Sequence, residues 1–219
     1  TMIGGTSYAT HPLQVTFIGK AAHVADKEYK GLNALDSLVD FYKRLKELEE
    51  TFDKPHLLGC IITEGGTAPN IVPDRATLKA TVRALDTDYL ENVMLPQIKA
   101  LAAEVAKDHH TPVETEHYEP LYKNMINNAA LNVYFIEAFN ALHEEFGVYE
   151  EEDAEGSTDV GNVSHVTRAA QPEIAIGYHI NAHTPEFATA ANSDFAYIQA
   201  LTGAKAMVAV AAEVLFEKR

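Results

Sequence analysis

The 219 residues carry 47% hydrophobic side chains, enough for one large domain or two small ones, each with a core of its own. A balance of 32 acidic against 17 basic side chains gives a net charge of -15, which repels nucleic-acid phosphate and anionic membrane surfaces and so argues against both as partners. No run approaches about 18 uninterrupted apolar residues and no charged-then-apolar leader opens the chain, so neither a membrane span nor a signal peptide is expected. The single cysteine, Cys60, allows no internal disulfide, and a reducing, cytoplasmic setting fits best.

In chain order, residues 1–10 read as a connecting segment. Because the chain opens with Thr1 rather than methionine, further residues upstream are expected. The run LQVTFI (13–18) puts Leu13, Val15 and Phe17 on one face, the period-two pattern of a half-buried strand. After the loop GKAAHVADKEYKG, Leu32, Leu35, Leu38, Val39, Tyr42 and Leu45 recur at helical spacing, with Gly31 or Asn33 placed to open the helix. LLGCIIT (57–63) and ATLKATVRAL (76–85) read as strands, the second by alternation of Ala76, Leu78, Ala80 and Val82 with polar residues. The glycine- and proline-rich GGTAPNIVPD between them is a loop. A second helix is predicted from about Asp88 to Lys107, kinked at Pro96, with Tyr89, Leu90, Val93, Ile98, Leu101 and Val105 inward. PVETEHYE (112–119) is a fourth strand. This order is the ferredoxin-like βαββαβ unit, a four-stranded antiparallel sheet with both helices on one face, assigned to residues 11–119.

Residues 120–219 differ in kind. Leu131, Tyr134, Phe135, Ala138, Leu142 and Phe146 mark a helix, VYEEEDAEGSTDVGNVS reads as an acidic, then polar loop, and PEIAIGY (172–178) as a strand. A long Ala/Val-rich helix is expected from about Asp194 to Phe216, capped by Ser193 or Asp194. Two helices and one strand do not close a layered domain, because a lone strand leaves its backbone groups and faces uncovered. The missing strands are expected from residues outside this chain, from the first domain or from a partner subunit, and the non-methionine start favours the first. The fold class is α/β (α+β), a ferredoxin-like domain followed by an incomplete portion of a second one.

The ten histidines include no H-x-D and no H-E-x-x-H, and one cysteine excludes thiolate clusters, so a complete local metal motif is missing. His179 and His183 lie in a loop, where polar surface is the ordinary role of histidine; His109 and His110 end a helix, where their charge complements its dipole. Glu150, Glu151, Glu152, Asp153 and Glu155 read as a solvated linker. Gly156, Ser157, Thr158 and Asp159 can present backbone N–H groups to an anion, although no lysine follows as a phosphate loop requires and no G-x-S-x-G elbow is present. In the first domain His23, Asn70 and Arg83 stand out. Singly they are a surface histidine, a turn asparagine and a solvated arginine; together they form a set suited to a carboxylate and an oxyanion.

GKAAHVA (19–25), GLNALDSLV (31–39), TEGGTAPNIVPDRATLKATVRA (63–84), GSTDVGNVS (156–164) and NAHTPEF (181–187), in this order, resemble the metal-dependent peptidase and amidohydrolase family of carboxypeptidase G, aminoacylases and p-aminobenzoyl-glutamate hydrolase. The resemblance implies a catalytic domain holding two zinc or manganese ions, interrupted by a ferredoxin-like lid through which two subunits pair. It makes residues 11–119 the lid and 120–219 the C-terminal part of the catalytic domain. It implies that His23 reaches into the partner's site to stabilise an oxyanion, that Asn70 and Arg83 hold the substrate's carboxylate side, that Gly156, Ser157, Thr158 and Asp159 line the substrate pocket, and that His183 is a late metal ligand. The family's H-x-D motif, bridging aspartate and Glu-Glu pair precede the lid and are not in this sequence. Weak or absent metal binding and no activity are therefore expected of this chain alone, within an enzyme that cleaves N-acyl amino acids, dipeptides or aryl-glutamates. The rival reading is a non-catalytic dimerisation or small-ligand-binding module.

Overall fold

The computed structural model describes residues 1–154 and 156–216; Glu155 of the acidic run lies outside them. Two compact units divide the chain, Tyr8–Asn124 as one and Thr1–Ser7 with the residues from Met125 onward as the other. Residues 1–7, read above as connection, supply strand β1 (Met2–Thr6) to the second unit.

In the first unit β2 (Ala9–Ile18), β3 (His56–Glu64), β4 (Arg75–Ala84) and β5 (Val113–His117) form an antiparallel sheet in the order β3-β4-β2-β5, the ferredoxin-like arrangement expected from the element order. Leu13, Val15 and Phe17 of β2 and Ala76, Leu78, Ala80 and Val82 of β4 share the buried face. Helix α1 (Ala34–Glu49) packs there through Leu38, Phe41 and Leu45, with the rings of Phe17 and Phe41 5.8 Å apart. Asn33 opens α1, its side-chain oxygen accepting from Leu35 N at 3.0 Å and Asp36 N at 3.4 Å, which satisfies two of the orphan donors of the first turn. Val39 and Tyr42, placed inward by periodicity, are exposed, because the seam through Leu38, Phe41 and Leu45 turns their flank to solvent.

The second helix of this unit is broken differently from a simple kink. Helix α2 (Thr87–Tyr89) runs into a π-helical turn over Leu90–Met94 and then into α3 (Leu95–Asp108). Leu95 N–H bonds the carbonyl of Leu90. The widened turn puts Pro96 at the start of α3, where its missing N–H costs nothing. Ile98, Ala102 and Val105 complete the core.

In the second unit β1 pairs in parallel with β6 (Gly147–Ala154), Met2 opposite Gly147 and Gly4 opposite Tyr149, with an irregularity between Gly4 and Thr6. Helices α4 (Ala129–Ala141), α5 (Val160–Ser164), α6 (Pro185–Ala191) and α7 (Asp194–Phe216) follow. Ile3, Phe135, Phe139, Ala206 and Val210 form a small core. Three expectations need correction. Residues 150–153 of the acidic run, expected as linker, fall within β6, between the residues that pair with β1 at Tyr149 and Ala154. The strand expected over 172–178 does not form; only Glu173 is paired, in an isolated bridge to Met2, because β1 already takes β6 on its other edge and its remaining edge holds this one residue. The stretches 160–164 and 185–191, read as loops, contain short helices. Among the described residues α7 is the one helix long and apolar enough to cross a membrane by length and composition, Lys205 and Glu213 interrupting what a search for unbroken apolar runs detects. Ile198, Leu201, Val208 and Leu215 on it are exposed.

Candidate functional site

The loop that carries His23 leaves β2 at Gly19, where a side chain has no room: a Cβ there would lie 2.1 Å from the Leu32 carbonyl oxygen. Val24 N–H donates to Asn70 O at 3.0 Å, and Val72 N–H to Ala22 O at 2.8 Å. These bonds zip the His23 loop to the 70–72 loop, with His23 and Ile71 in a bridge. His23 and Asn70 are thus brought together, both exposed. Ala25 N–H donates to His23 Nδ1 at 3.1 Å. An imidazole whose Nδ1 accepts carries its proton on Nε2, so the free nitrogen is a donor, the polarity an oxyanion requires.

Arg83 is elsewhere. It sits on the face of β4 opposite the helices, in register with Thr10 of β2 and Leu57 of β3, while the His23 loop joins the sheet at the Arg75 end, where Gly19 N–H donates to Asp74 O. Arg83 lies eight residue steps of extended strand from Arg75, about 26 Å. A dipeptide spans about 7 Å, so the three polar residues of this unit do not converge on one small ligand within one chain. Arg83 forms no ion pair among the described residues, whereas Arg44 and Arg75 do.

In the second unit, Gly156, Ser157, Thr158 and His183 line one cleft of about 440 Å³, and Asp159 instead precedes α5. His183 has φ 64 and is exposed, just before Thr184, whose hydroxyl caps α6 by accepting from Phe187 N–H at 3.2 Å. The same cleft takes in residues that the sequence did not single out: Ser7, Asn127, Tyr149 and Glu173. Glu173 is pinned by a pair of backbone bonds with Met2, both 2.9 Å, and its carboxylate accepts from Tyr149 Oη at 3.1 Å. Asn127 donates through Nδ2 to Gly5 O at 3.1 Å, and among the described residues its Oδ1 and the hydroxyls of Ser7 and Ser157 have no partner.

The metal pair implied by the resemblance does not fit these residues. Among the described residues no three His, Cys, Asp or Glu side chains are grouped to hold an ion, and a zinc or manganese site needs about four donors. His183 is the one implied ligand in this chain, and its cleft adds a single carboxylate.

A ferredoxin-like sheet with a histidine loop at one end and a free arginine at the other is a domain of a known class. Residues 12–110, most of the first unit, match the family described as the peptidase dimerisation domain. The chain as a whole is similar in sequence to dipeptidases and in fold to solved amidases and related proteins. It is 33% identical over 215 residues to a mouse (Mus musculus) Xaa-Arg dipeptidase, covering 95% of this chain and 49% of that protein. Its fold is similar to an aminobenzoyl-glutamate utilization protein from Klebsiella pneumoniae (TM-score 0.60, 20% identity, 74% of this chain and 42% of that one). It is also similar to an amidase of the hydantoinase/carbamoylase family from Burkholderia phymatum (TM-score 0.58, 17% identity, 97% of this chain and 49% of that one). The chain spans about half the length of the curated relatives it matches.

Proposed function

We propose that the chain is the lid and the C-terminal part of the catalytic domain of a two-metal amidohydrolase. The reaction is hydrolysis of the amide bond of a dipeptide or N-acyl amino acid, and dipeptides ending in a basic residue are the favoured substrates. The observation that carries this reading is the His23 loop, in which the Ala25 N–H fixes the imidazole as an outward donor beside Asn70. The names of the relatives support the substrate class, as does the net charge of -15, which disfavours an aryl-glutamate with two carboxylates. His23 stabilises the developing oxyanion, and Arg83 grips the substrate carboxylate.

The distance along β4 supports dividing these roles between centres: on this reading each reaction centre takes His23 and Asn70 from one lid and Arg83 from another, so a homodimer is part of it. The edge strand β3 supports pairing through the lid, since Leu57 is 50% and Ile61 64% exposed beside an unpaired backbone edge. Alone, the chain binds metal weakly and is inactive on this reading, because among the described residues His183 lacks companion donors.

The test uses the complete gene product with any upstream segment, assayed for amine release from dipeptides ending in arginine, N-acetyl amino acids and aryl-glutamates. Release from at least the first class is expected, and His23→Ala is expected to lower turnover by about 100-fold or more with metal content unchanged. Full metal content with no release from any substrate overturns the hydrolase reading, and unaltered turnover removes His23 from it.

A further inference from the structure

We propose that the cleft of the second unit is a subsite for a guanidinium or primary ammonium group, with Glu173 as its counter-ion. The inference rests on the hydrolase reading for its biological role, the cation being the side chain of a basic residue in the substrate, but not for its chemistry.

That chemistry comes from the lining. Among the described residues Glu173 is the one acidic side chain there, and no lysine or arginine contributes. Its backbone is clamped to Met2 on both hydrogen-bonding groups, and Tyr149 holds one carboxylate oxygen at 3.1 Å. The other oxygen, on an exposed side chain, is left for a ligand. Three of the remaining polar groups are of the matching kind, beside Gln171 and His183, which also line the cleft. Asn127 is turned by its bond to Gly5 so that the unpaired atom is the acceptor Oδ1 rather than the amide donor. Ser7 is only 4% exposed, and among the described residues its hydroxyl has no partner; that of Ser157 has none either. Buried polar atoms are ordinarily satisfied, and a group of them around one cavity marks a place where a ligand completes the bonding. A guanidinium offers five N–H donors and no acceptor, and a carboxylate with a carbonyl and two hydroxyls is a complementary set. An anion at this place meets the negative charge of Glu173, with no lysine or arginine among the described lining residues to offset it. The floor of the cleft is formed where β1 bulges, with Gly4 at φ 90 and Gly5 at φ 71, backbone angles that only glycine adopts at little cost and that keep the space clear of side chains.

The probe is agmatine, which carries a guanidinium and has no amide to cleave, titrated into the isotope-labelled 219-residue chain and followed by amide chemical shifts. The expected result is saturable shifts clustered at residues 5–7, 127, 156–158 and 173. Affinity should fall about tenfold in Glu173→Gln and about threefold in Tyr149→Phe, while glutarate moves none of these signals. Unchanged affinity in Glu173→Gln, shifts scattered over the acidic surface, or binding of glutarate in the cleft each overturn the proposal. The two readings separate cleanly: agmatine seated at Glu173 with no dipeptide cleaved by the complete protein sinks the hydrolase alone, whereas cleavage with an unaltered KM in Glu173→Gln sinks the subsite alone.

Discussion

Acid should loosen the lid through one histidine. His11 is 8% exposed on β2, and its Nδ1 has no partner. Its ring meets that of His117 edge-on with centroids 3.9 Å apart, and Lys99 Nζ lies 3.4 Å from His117 Nε2. Burial, then His117, then Lys99 push the His11 pKa down from 6.5 to about 4; burial and Lys99 lower that of His117 as well. A depressed histidine pKa means that the unfolded chain takes up the proton first, so the stabilisation is complete above about pH 6.5 and drains away as the pH falls toward 4. The difference of 2.5 units between 6.5 and about 4 corresponds to up to about 3 kcal/mol at 1.36 kcal/mol per unit. His11→Gln keeps a polar side chain and removes the titration. Hydrogen exchange at the β2 and β4 amides, read between about pH 7 and about pH 4 with correction for intrinsic exchange rates, reports on this unit alone. The native protein should lose about 3 kcal/mol more than the variant over that range. Parallel pH profiles for the two proteins would refute the argument.

Two further perturbations test the same unit. Leu78 is fully buried at the centre of the sheet, so Leu78→Ala is expected to cost about 2–5 kcal/mol in urea unfolding; a loss under about 1 kcal/mol contradicts the core described above. Ile61→Lys on the exposed face of the edge strand should leave the fold intact and shift the light-scattering mass from dimer to monomer. A persistent dimer would move the pairing surface off β3.

The sheet of the first unit was legible because one face of its central strands is apolar and the other mainly polar, which imposes alternation on Leu13, Val15 and Phe17 and again on Ala76 to Val82, although Thr16 and Thr77 of the polar face are buried too. The start of β2 was not, since Pro12 reads as a stop. It is tolerated because β5 pairs only from Leu13 onward, so the nitrogen of Pro12 owes no ladder bond. In the second unit the signals conflict. β1 hides behind Gly4 and Gly5, β6 behind its acidic residues, and the alternation that predicted a strand over 172–178 reflects partial burial of Ile174 and Ile176 instead. The start of α6 was readable in principle, with Thr184 as cap and Pro185 in the first turn. His23 and Asn70 were found as polar residues in small-residue loops, yet the backbone bonds that join them cross about fifty residues of sequence and leave no local trace. Glu173 was invisible for a related reason: its importance comes from Met2 and Tyr149, both distant in the chain.

The length of β4 has a genetic corollary. If a reaction centre borrows its imidazole from one polypeptide and its guanidinium from the other, an inactive His23→Ala protein and an inactive Arg83→Ala protein repair each other when mixed. Each hybrid then contains one intact centre and one doubly damaged one. With random exchange of subunits, roughly a quarter of all centres regain function, so two silent alleles expressed together become audible.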